Sequence, residues 1–140
     1  MILALLLAAA PVAIPFDAAT RAALPPATAT LVAHGTSQVC TGVWLGDLIA
    51  RAGLPGGEAL RGTALHTVVL AEAADGYRVV FSLGEIDAAL GKTPVLVADR
   101  CAGQALGAAD GPVRLVVPGD RRGARSVRRL VRLRAIEVAP

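Results

Sequence analysis

The sequence predicts an α+β domain with a mixed, largely β core and short helices. Three observations lead there. Apolar runs rich in Val, Ile and Leu recur between Gly, Pro and Asp punctuation, and only two short stretches carry a helical period. A chain of 140 residues also suits one core, and with 3% aromatic and 18% charged residues that core must be built from small aliphatic side chains.

Residues 2–14, ILALLLAAAPVAI, form an apolar run too short to span a bilayer and followed by a polar shift at Asp17. This pattern is that of a secretory leader. It sets the expected organisation: a leader over 1–19, a linker over 20–27 punctuated by Pro25 and Pro26, and the domain over 28–140. It also sets an expected periplasmic or secreted location, with no stable membrane span once the leader is removed. From Ala27, ATATLVAHG alternates as a half-buried strand does and ends at Gly35.

Leu45, Leu48, Ile49 and Ala52 follow at i, i+3, i+4 and i+7, with Asp47 and Arg51 on the opposite face and Gly53 placed to stop a short helix. The Pro- and Gly-rich stretch from Leu54 reads as loop. Strands over Leu65–Ala71 and from Tyr77 should pair across the Asp75-Gly76 turn. LGEIDAAL from Leu83 reads as one or two helical turns ended by Gly91, and PVLVADR from Pro94 as a strand. A turn carrying Cys101 and a second at Asp110-Gly111-Pro112 then lead to VRLVV and to the terminal LVRLRAIEV, both strands.

Basic residues concentrate near the C-terminus: eight of the fourteen Lys and Arg fall between Arg114 and Arg134. Arg114 sits inside an apolar strand, so its guanidinium must emerge at the sheet edge or meet a counter-charge. Downstream, Arg121, Arg122, Arg125, Arg128 and Arg129 surround Gly123, where the missing side chain would admit close backbone contact. Guanidinium forks suit phosphate and carboxylate, so a small anionic or phosphate-bearing ligand is the expected partner. The competing reading is a solvated basic face with internal pairs to Asp110 or Asp120. His34, at a strand end, is a candidate base or anion donor and equally a hydrogen-bonded loop histidine.

Cys40 and Cys101 could form one bridge in an oxidising compartment or remain two separate thiols. Without CxxC or HExxH spacing a dedicated zinc site is not expected, and GxSxG, Walker and GxGxxG motifs are absent. The shortage of aromatic residues removes the stacking platforms of single-strand binders, so nucleic acid is not an expected partner.

The order GVWLGDLIARAG, DGYRVVFSLGE, DGPVRLVVPG, then GARSVRRL and a terminal strand, resembles the molybdopterin-binding domain of the sulfite-oxidase superfamily from about Thr28 to Val138. The resemblance implies that superfamily's mixed, largely β fold. It implies molybdopterin as cofactor, with its phosphate among basic side chains and backbone amides and oxygen-atom transfer at molybdenum. Arg114 matches the arginine of the family's PVR strand and Arg125 that of its GAR segment. Arg128 stands where the family has a lysine before a tryptophan, and Arg129 replaces that tryptophan.

The family's molybdenum-ligating cysteine falls at Ala33, which supplies no thiolate; Cys40 lies seven residues downstream. The leader also lacks the Arg-Arg pair of folded export. The expected cofactor-binding residues are therefore Arg114, Gly123, Arg125, Arg128 and His34, with no metal ligand and no catalytic residue assigned. Three roles stay open: a degenerate binding or accessory module, a molybdopterin-dependent oxidoreductase or subunit of one working with a redox partner, and a structural or interaction domain.

Overall fold

The structure is a computed structural model and describes residues 9–139. Two antiparallel sheets form its frame. The first has the strand order β1 (Val12–Ala13), β9 (Leu130–Glu137), β4 (Thr67–Ala73), β5 (Arg78–Ser82). The second runs β2 (Ala27–Ala33), β3 (Thr36–Trp44), β6 (Leu96–Cys101), with both β7 (Gln104–Ala105) and β8 (Arg114–Val116) also paired to β6. Among the described residues three α-helices complete it, α1 (Ala18–Ala22), α2 (Leu45–Arg51) and α3 (Leu83–Ile86), together with three short 3-10 turns. This is the α+β, largely β architecture expected from the sequence.

The core lies where the two sheets face each other. Val69, Ala71, Phe81, Leu133 and Ala135 from the first sheet meet Val43, Val97 and Leu115 from the second, with Leu45, Leu48 and Ile49 of α2 closing one end. Period-two alternation then gives the second sheet another face. It carries a smaller cluster of Leu31, Cys40, Leu96, Ala98, Cys101 and Val116. The register places Arg114 on this second face, because Arg114 is paired with Ala98 and lies two residues before Val116. A polar side chain in an apolar strand is thereby turned away from the main core.

The stretch expected as leader and linker is, from Val12 on, part of the fold. Val12 and Ala13 pair with Ala135 and Arg134, Ile14 is 1% exposed in the core, and Asp17 caps α1. Arg21 of that helix donates to Asp99 of β6 at 2.6 Å. The strand is stabilised by burial of the adjoining Ile14 and the helix by the second sheet's carboxylate, neither of which local composition reveals. The part of the expected leader over residues 1–8 lies outside the described residues. Among the described residues no helix is long and apolar enough to cross a membrane.

On the outer face of the first sheet, Glu72 is gripped by Arg132 at 2.8 Å and by Arg134, with Arg78 at 3.9 Å. The hydrogen bonds from Arg132 and Arg134 hold its carboxyl below the ordinary carboxylate range, although burial acts the other way. A value lowered by folding contributes stability above that range and loses it as pH falls through it. The melting temperature is therefore expected to drop on acidification from about pH 5 to about pH 3. Glu72→Gln should melt lower at neutral pH and fall less steeply in acid, and identical acid profiles for the two proteins would contradict this.

Candidate functional site

The second face of the β2-β3-β6 sheet is only partly covered, and the gap is a cavity of about 690 Å³. Its floor and one wall come from the β2–β3 hairpin and from Cys101 and Leu106; the other wall comes from Arg114 and the Arg121–Arg128 segment. The hairpin closes through a two-residue turn in which Ala33 faces Thr36 and both His34 (φ 52°) and Gly35 (φ 75°) are left-handed. That is the twist-matched turn of a tight hairpin, and histidine is among the few non-glycine residues that tolerate it. The Thr36 hydroxyl donates to the Ala33 carbonyl at 2.8 Å, fixing the turn at the cavity rim.

The arginine wall is held in place by a buried serine. Ser126, 4% exposed, accepts the Val117 amide on its Oγ at 3.0 Å and the Arg114 Nη2 on its carbonyl at 3.0 Å. The neighbouring Val127 carbonyl accepts the Leu115 amide at 2.8 Å, so the segment runs along β8 and Arg128 is left pointing at the cavity. Tyr77 donates its hydroxyl to the Ala124 carbonyl, securing the far end. Sequence reasoning missed Ser126, whose only signal was a small polar residue between the GAR triplet and a buried valine.

Arg114 is 8% exposed, and among the described residues its counter-charge is Asp110 at 3.5 Å. Burial pushes its guanidinium below the ordinary arginine value; Asp110 opposes this and the charge of Arg128 reinforces it. Arg121, Arg122 and Arg128 line the same cavity and form no salt bridge among the described residues. Four guanidiniums thus face one carboxylate across one cavity. An excess of that kind attracts an anion, and partial enclosure by protein strengthens the attraction over that in bulk water.

Of the five residues expected at the site, the structure brings Arg114, Gly123, Arg128 and His34 together around the cavity. Arg125 does not line it. Its guanidinium forms a two-pronged pair with Asp120 at 2.8 Å, a second pair with Glu85 at 3.3 Å, and lies 5.0 Å over the Phe81 ring. These carboxylates raise its pKa and occupy its donors, so it ties the loop to α3 instead of facing the cavity. For Gly123, an added Cβ would meet nothing within 4 Å, so protein packing does not require glycine there.

The cavity also decides which cofactor chemistry these residues can hold. Ala33, at the position of the expected thiolate ligand, does line it but offers a methyl group. Cys40 and Cys101 are joined to each other in a disulfide, facing directly across β3 and β6 with a Cα–Cα distance of 4.0 Å. Among the described residues no cluster of His, Cys, Asp and Glu is placed to hold a metal ion. The arginine wall fits a phosphate-bearing group; the donor set does not fit thiolate ligation of molybdenum.

The site thus lies in a β-rich domain whose arginine-lined wall follows a Pro-Val-Arg strand. The chain belongs to the oxidoreductase molybdopterin binding domain family, whose sequence model matches residues 23–139. No curated protein matches the chain.

Proposed function

We propose that this chain is an exported ligand-binding module of the family, taking a phosphate-bearing anion of the molybdopterin class in its arginine-walled cavity without a protein thiolate on molybdenum. One observation carries the reading: Arg121, Arg122 and Arg128, unpaired among the described residues, share a cavity with the buried Arg114 and with Ala33. In this arrangement Arg114 sets the base of the wall through Ser126 and Asp110, while the three unpaired arginines engage the ligand's phosphate. Gly123 leaves open space for close approach. His34 stands at the opposite rim, where its ring can donate to an anionic oxygen.

Thermal shift against pyrophosphate and a phosphorylated pterin tests the reading. A site saturated at one hundred times its Kd stabilises the fold by about 2.7 kcal/mol, which is readily measured as a raised melting temperature. The Arg121→Gln/Arg122→Gln/Arg128→Gln variant should keep the parent melting temperature without ligand and lose most of the shift. An unshifted parent protein would favour a purely structural domain. Export is supported by the disulfide, which oxidising compartments maintain, with any removal of the apolar leader falling before Val12, where the fold begins to use the chain. Alkylation of protein from its own host, without reductant, should label neither cysteine; two labelled cysteines would contradict export with the bridge formed.

A further inference from the structure

We propose that Cys101 is a thiol-exchange site entered through the arginine cavity and selective for small anionic thiols. The proposal rests on the reading of that cavity as an anion site. Three observations converge on it. Strand register puts Cys40 and Cys101 side by side on the second face of the sheet, the face that also carries Leu31 and Arg114. The two residues are not equally placed: Cys40 is 0% exposed beneath its apolar neighbours, whereas Cys101 is 9% exposed and lines the cavity. The entrance is strongly basic, with Arg121, Arg122, Arg128 and Arg114 set against Asp110 alone. Thiolates are the attacking species in exchange, and a negatively charged side group adds to their attraction by this field.

In the exchange, the incoming thiol loses its proton and its sulfur forms a bond to Cys101 Sγ. The Cys40–Cys101 bond breaks with its electron pair on Cys40 Sγ, which takes up a proton. The products are a mixed disulfide at Cys101 and a free Cys40 thiol: the incoming sulfur is oxidised to the disulfide level as Cys40 is reduced, so no further oxidant or reductant is needed. Reattack by Cys40 on Cys101 expels the thiol and restores the bridge, so the adduct is reversible.

The test compares thioglycolate, 2-mercaptoethanol and cysteamine as anionic, neutral and cationic probes on the full chain. Each rate is divided by thiolate concentration and by the same thiol's rate with a small disulfide, and the adduct is mapped by peptide mass spectrometry after alkylation. The expected result is an adduct on Cys101, formed at least about tenfold faster with thioglycolate than with cysteamine. High salt and the Arg121→Gln/Arg122→Gln variant should bring that ratio towards one. A ratio near one in the parent protein, an adduct on Cys40, or unbridged cysteines would each overturn the proposal. Pyrophosphate thermal shift separates the two levels: a shift with a ratio near one removes the exchange site and keeps the anion site, whereas no shift with a ratio near one removes both.

Discussion

Gly42→Ala is expected to prevent folding. In the β3–β6 pairing, Thr41 faces Arg100 while Gly42 faces Ala98, so Asp99 is an extra residue bulged out of the ladder. The bulge brings the β6 backbone against Gly42: an added Cβ would lie 1.9 Å from the Val97 carbonyl oxygen and 2.7 Å from the Ala98 Cα. Both are main-chain atoms in the centre of the sheet, and neither can move without parting the strands. The expected cost is at the extreme for a single substitution, about 4 kcal/mol or more, which consumes most of the stability of a domain at the low end of the usual range of about 5 to 15 kcal/mol. Gly119→Ala, whose new methyl group meets nothing within 4 Å, is the matched control and should melt with the parent. A folded Gly42→Ala protein with an unchanged denaturation midpoint would contradict the bulge.

The second large effect belongs to the disulfide. Cys40 and Cys101 are 61 residues apart, and the chain-entropy model assigns closure of a loop that long about 4 kcal/mol of stability. Cys40→Ala/Cys101→Ala should therefore lose about 2 to 5 kcal/mol, or roughly 10 °C in Tm, with reduction of the parent giving a similar fall. The loss should also reach the site. The β2–β3 hairpin extends past the main core, with Val32 and Val39 exposed, and the bridge ties its second strand to β6 directly under the cavity. Phosphate-induced stabilisation should weaken along with the fold. A double variant that melts with the parent would show that the hairpin is held by its backbone ladder alone.

Much of the fold was legible because hydrophobic period and turn chemistry agree locally. The helix expected between Trp44 and Ala52 appears as Leu45–Arg51 with Gly53 at φ 81°, and the strands expected around Asp75-Gly76 pair as β4 and β5. The helix read from Leu83 to Leu90 stops instead at Ile86. Ser82 and Glu85 cap its start reciprocally, but Asp87 is extended and accepts the Ala89 amide, diverting the chain into a turn. The nine-residue strand β3 was not anticipated, since TSQVCTGVW lacks alternating large apolar residues. Its partners β2 and β6 specify it, and long-range pairing of that kind leaves little local trace.

The site divides in the same way. Arg114 announced itself as a charge inside an apolar strand, and the pairing it required is supplied by Asp110 and the Ser126 carbonyl. Arg125 stands beside the other arginines in sequence, yet its direction depends on Asp120 and Glu85, the latter forty residues away. Charge density in the sequence marks a basic segment; only packing separates the arginines that face the cavity from the one that anchors the loop. The disulfide likewise follows from register, because spacing alone left bridge and free thiols as open alternatives.

Molybdenum content per chain is the most direct measurement of the central claim that this member of the family binds a phosphate-bearing ligand without a protein thiolate on the metal. Protein should be purified from its own, molybdenum-replete host and analysed for metal and for extractable pterin. The arrangement of Ala33, the Cys40–Cys101 bridge and the arginine wall predicts metal far below one per chain in protein that still shows a phosphate-dependent thermal shift. One molybdenum per chain, retained through purification with pterin in equal amount, would contradict it.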